Sequence, residues 1–197
     1  KDLLEKGYRV VIPDLRGNGS SGKPQEDRAY QDKAEVKDLK ELMSHLNTKE
    51  YFAVGYSRGS IVLANLLTEE PRIKKAVLGG MGIDFTNPDW ERRVIFMEAF
   101  AGKTIDETKG AVEYAKSVGA DLRSLHLQQK YQPVTSVEEL QKVKAKILVI
   151  AGDEDLDNGN PQLLHEVFKK SKLVLVPGNH NETYKTAEFS KAILNFL

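Results

Sequence analysis

Apolar residues recur along this chain in two alternating rhythms. Short runs rich in β-branched residues occur at 8–13, 51–55, 74–79, 146–151 and 173–176. Runs of that length and composition predict buried strands. Between them lie stretches with the 3.6-residue period of helices, predicted over about 32–46, 58–68, 161–169 and 186–197. The first shows the period well: Val36, Leu39, Leu42, Met43 and Leu46 fall on one face. Alternation of this kind predicts an α/β fold, a mostly parallel sheet with helices on both faces. One stretch breaks it. Residues 84–140 contain no convincing strand and read as short helices at 90–101, 105–118 and 121–130, separated by Gly102 and Gly119.

The junction between the second strand and its helix carries the most informative motif, Gly55-Tyr56-Ser57-Arg58-Gly59. A Gly-x-Ser-x-Gly between a strand and a helix is the nucleophile elbow of serine hydrolases. Its serine sits on a tight, strained turn, so small residues are expected at both flanking positions. The turn aims the hydroxyl at a helix N-terminus, where backbone N–H groups favour a developing oxyanion. The plainer alternative is an ordinary strand–turn–helix that matches by chance.

The C-terminal third supplies an acid and a base. The strand at 146–151 runs into Gly152-Asp153-Glu154-Asp155-Leu156-Asp157, and the strand at 173–176 runs into Pro177-Gly178-Asn179-His180. Open α/β sheets place their chemistry in loops at the C-terminal ends of strands. The order Ser57, acid, His180 is that of the α/β-hydrolase triad, unlike that of chymotrypsin or subtilisin.

These segments, in this order, resemble the α/β-hydrolase superfamily and its serine esterase-like branch over nearly the whole chain. Residues 9–21, with Asp14-Leu15-Arg16-Gly17-Asn18-Gly19-Ser20-Ser21, look like the family's fourth strand and the D-x-R-G-x-G-x-S turn after it. Asn18 departs from the more usual His or Tyr. The resemblance implies Ser57 as nucleophile, His180 as base and the Arg58 amide as an oxyanion-hole donor. The family's G-x-x-D spacing from Gly152 selects Asp155 as the acid; Asp153 and Asp157 are runners-up and Asp84 a remote alternative. It also implies an α/β-hydrolase core at 1–83 and 141–197, with 84–140 as a small helical cap. Substrate-facing candidates are Tyr56, Phe85, Trp90, Phe96 and His126, with Met97, Phe100 and Tyr114 behind them, although aromatics at helical spacing more often pack a core. His45 and His165 read as surface or helix-end residues.

The chain opens at Lys1 in what reads as the tail of a helix, stopped by Gly7. The family has more before this point: three strands and a loop that donates a second oxyanion-hole N–H. The resemblance therefore implies a sheet incomplete at the N-terminus, with a gap in the hydrogen-bond ladder between 8–13 and 51–55, or else a repaired sheet in which these two segments pair directly. It also implies that this stretch of chain alone is poorly stable or poorly active.

Composition narrows the function classes. Lys+Arg and Asp+Glu are both 29, so the formal net charge is zero, which points away from nucleic acid or an anionic membrane as partner. There is no cysteine, no pair of histidines at ligand spacing, and no Glu at the offset a calcium loop needs after Asp153–Asp157. No metal or cofactor is expected. A soluble, cytoplasmic setting is expected; the resemblance implies a small-molecule acyl substrate, and members of the same fold also serve as ligand receptors and non-catalytic interaction modules.

Overall fold

The computed structural model describes residues 1–197. In chain order its helices and strands are α1 (Asp2–Glu5), α2 (Ala34–His45), β1 (Tyr51–Tyr56), α3 (Arg58–Glu69), β2 (Ile73–Gly79), α4 (Glu91–Phe100), α5 (Lys109–Ser117), α6 (Leu122–Lys130), α7 (Val137–Leu140), β3 (Lys146–Gly152), α8 (Pro161–Val167), β4 (Ser171–Val176) and α9 (Ala187–Phe196). The four strands form one parallel sheet in the order β1-β2-β3-β4. No helix is long and apolar enough to cross a membrane.

Alternate side chains on the strands serve two cores. Ala76, Leu78, Ile147 and Val149 pack with Ile61, Leu66 and Leu164 of α3 and α8 on one face. Val77, Leu148, Ile150 and Val176 pack with Phe189 and Ile193 of α9 on the other. Period-two burial on both faces is what a parallel sheet between helices requires. Local chemistry sets several helix starts. Asn160 accepts from the Gln162 amide with Pro161 at the first helical position of α8, and Thr186 accepts from the Phe189 amide in α9. Asp32 and Lys33 adopt φ of 54° and 56°, so α2 begins at Ala34 rather than at 32.

The insertion between β2 and β3 holds α4 to α7 and no strand. Asp121 caps α6 by accepting from the Ser124 amide at 2.6 Å. The short α7, which the periodicity does not reveal, is fixed by a capping box between Ser136 and Glu139.

The strand expected at 8–13 is absent. These residues belong to no strand and make no backbone hydrogen bond to β1. An apolar groove of about 780 Å³ runs along them and β1, lined by Val10, Ile12, Leu42, Phe52, Val54 and Leu66 among others. Ile12 is 88 % exposed and Val54 47 %. The segment has strand-like composition, but a strand exists only when a neighbour takes up its N–H and C=O groups. The ladder thus has the expected gap, and direct pairing of 8–13 with β1 does not occur.

Candidate active site

The ladder registers bring Tyr56 opposite Gly79, and Gly152 opposite Val176. The C-terminal ends of β1, β3 and β4 therefore deliver three loops to one edge of the sheet. Ser57, between β1 and α3, has φ 50° and ψ −123°, a conformation that non-glycine residues avoid. It is held there because its N–H donates to the Gly79 carbonyl at 2.8 Å and its own carbonyl accepts from the Ser60 N–H at 2.8 Å. A Cβ on Gly55 would meet the Gly59 carbonyl oxygen at 2.5 Å, whereas a Cβ on Gly59 would meet nothing within 4 Å. The expectation that both flanking positions must be small therefore holds at Gly55 alone, since only there do strand and helix backbones touch.

Ser57 Oγ lies 2.9 Å from His180 Nε2, and His180 Nδ1 lies 2.8 Å from Asp155 Oδ2. The Asp155 side chain is 2 % exposed and that of His180 13 %. The other acids of the loop face elsewhere. Asp153 accepts from the Gly178 N–H at 3.0 Å, joining the acid loop to the histidine loop, and Asp157 accepts from Arg92 Nη2 at 3.1 Å. The two loops also meet at Gly152, where any Cβ would collide with the Gly178 carbonyl. Asp84 lies against Gly159 instead.

Neighbours fix this arrangement. The Tyr56 hydroxyl donates to the His180 carbonyl at 2.6 Å, and its ring lies 5.3 Å from the imidazole, centroid to centroid. Burial, with the Asp155 charge next, pushes the Tyr56 phenol well above its ordinary range, so it stays a neutral donor. Asn158 Nδ2 donates to the Gly80 carbonyl at 3.0 Å and lies 3.3 Å from His180 Nδ1. Arg58, which begins α3, forks onto Glu35 of α2: its Nη1 donates to Oε1 at 2.9 Å and its Nη2 to Oε2. Its backbone N–H stands in the first helical turn, which has no acceptor within the helix.

A pocket of about 100 Å³ opens beside Ser57, lined by Arg58, Trp90, Arg92, Arg93 and Phe96 among others. Gln129, Gln132 and Asn158 add amide groups to its wall. Trp90 and Phe96 thus line the space beside Ser57. Phe85 does not; it is 1 % exposed within the core cluster beneath β2. His126 is turned into the insertion, with Nδ1 2.8 Å from the Met97 carbonyl, and Tyr114 is 69 % exposed. Phe100 packs on Phe96. His45 is exposed at the end of α2, and His165 meets the Ser171 hydroxyl at 2.7 Å. No three His, Asp or Glu side chains are arranged to hold a metal. Glu35, Asn158 and the Arg92–Arg93 pair escaped the sequence reading, because their contacts span distant parts of the chain.

Residues 1–107, more than half of the chain, match the family model for the alpha/beta hydrolase fold, and the protein belongs to that family. Solved structures share its architecture. An esterase from Exiguobacterium antarcticum superposes with a TM-score of 0.80 at 20% identity, covering 99% of this chain and 83% of that one. A bromoperoxidase from Bacillus anthracis gives 0.76 at 24%, covering 98% and 83%. An enol-lactonase from Burkholderia xenovorans LB400 gives 0.74 at 19%, covering 92% and 78%. At these identities the likeness is one of fold.

Proposed function

We propose that this protein is a serine hydrolase that cleaves a small or medium carboxylic ester, or a related lactone or thioester, through an acyl-enzyme. The observation that carries the reading is the unbroken chain of contacts from Ser57 Oγ through His180 to the buried Asp155 carboxylate, 2.9 Å and 2.8 Å. In this mechanism His180 Nε2 takes the Ser57 proton as Oγ attacks the acyl carbonyl, then returns it to the leaving alcohol. Asp155 holds the imidazole with Nδ1 protonated and stabilises the imidazolium. The Arg58 N–H, at the positive end of α3, donates to the oxyanion. Water activated by His180 then releases the acid. Segment 84–140 serves as a cap, bringing Trp90 and Phe96 over the serine and limiting water there.

Hydrolysis of p-nitrophenyl acetate and butyrate tests this. The expected result is turnover that Ser57→Ala or His180→Ala lowers by on the order of 10³-fold or more. A folded protein that cleaves neither ester, or whose turnover survives both substitutions, overturns the reading in favour of a ligand receptor or interaction module on the same fold.

A further inference from the structure

The pocket beside Ser57, about 100 Å³, is lined by three arginines, Arg58, Arg92 and Arg93, and by no carboxylate residue. Their charges are balanced unequally. Arg58 is paired with Glu35 and Arg92 with Asp157. Arg93 has no carboxylate partner; its Nη2 donates to the Pro88 carbonyl at 2.7 Å. Arg93 thus brings to the pocket wall a charge that no carboxylate balances. Walls of low dielectric strengthen the field of such a charge inside a cleft. A carboxylate fits this charge, because its two oxygens match the planar guanidinium fork.

Building on the hydrolase reading, we propose that the substrate is a short ester whose acyl chain ends in a carboxylate, and that Arg93 selects it. The acyl carbonyl sits at Ser57 Oγ while the carboxylate reaches the Arg93 side of the pocket. The bond changes are those of ester cleavage: Oγ–acyl forms, the ester C–O breaks, and the Ser57 proton leaves with the alcohol by way of His180. The anion takes no part in them; it orients the chain.

Trp90, which lines the pocket, is the single tryptophan of the chain, so its emission reports binding without turnover. In a Ser57→Ala background, monomethyl succinate is titrated against its neutral counterpart, dimethyl succinate. The half-ester should bind at least tenfold more tightly. That ratio should fall towards one when Arg93→Gln is added and recover in part with Arg93→Lys. Lys144→Gln, which removes an exposed charge elsewhere, should leave it intact. Equal affinities, tighter binding of the diester, no saturable change with either, or a ratio that survives Arg93→Gln each overturns the proposal. Fluorophosphonate labelling of the unmutated protein judges the hydrolase reading separately. Labelling without an anion preference removes the substrate class alone, and an Arg93-dependent preference without labelling removes the hydrolysis alone.

Discussion

Alanine at Gly55 and at Gly59 should act in opposite directions, although the two glycines hold matching places around Ser57. A Cβ on Gly55 would sit 2.5 Å from the Gly59 carbonyl oxygen, 2.7 Å from its carbon and 2.8 Å from the Ser60 nitrogen. Ordinary contact begins near 3.4 Å, so the first turn of α3 must retreat from β1 by roughly 0.9 Å. All three obstacles are backbone, so no side-chain rotation relieves them. Overpacking of this kind costs about 1–3 kcal/mol. The retreat also carries Ser57 off the 2.9 Å line to His180, and a misplacement near 1 Å lowers turnover by about 10². At Gly59 a methyl group meets open space within a helix, and alanine there should stabilise by about 0.5–1 kcal/mol. Urea unfolding of both variants, with p-nitrophenyl acetate turnover, measures the two effects. Equal destabilisation by both, or a Gly55→Ala protein as stable and active as the parent, would refute the reasoning.

Three further outcomes follow from the contacts. Glu35→Gln leaves the Arg58 guanidinium without its counter-charge in a site where Glu35 is 5 % exposed; the loss should be about 3 kcal/mol in urea unfolding, with slower turnover because Arg58 begins the helix whose first N–H is the proposed oxyanion donor. Glu70, buried and gripped by Arg72 Nε at 2.8 Å and Nη2 at 2.6 Å, has its carboxyl pulled below the ordinary 4.5 by those hydrogen bonds. A depressed folded value means that its contribution is complete above about pH 4.5 and is lost as pH falls through the folded value; in Glu70→Gln the acid limb of the stability curve should flatten. Among the loop acids, Asp155→Asn should lower turnover by about 10³–10⁴-fold, whereas Asp157→Asn, which faces Arg92, should change it less than tenfold.

The parallel sheet was legible because each strand is a short apolar run followed by an amphipathic helix, and that rhythm is local. Ser57 and His180 were legible for a similar reason, since each lies just past a strand end. The acid was harder. Asp153, Asp155 and Asp157 share one loop, and only the fold shows that one touches the imidazole while the others hold Gly178 and Arg92. Residues 8–13 misled because composition reports how well a segment suits a strand, not whether a partner stands beside it. Phe85 misled because its spacing reads alike for a core residue and for a pocket wall. Arg58–Glu35 and Asn158–Gly80 could not be read at all, for they join residues 23 and 78 positions apart with no local signature.

The most direct test of the account is intact-mass measurement after exposure to a serine-directed fluorophosphonate, with the adduct located by peptide mass. The expected result is one phosphonyl group per chain, on Ser57, lost in Ser57→Ala and slowed by at least 10²-fold in His180→Ala. A folded protein that stays unlabelled, or labels at another serine, or labels at Ser57 as fast without His180, would contradict it.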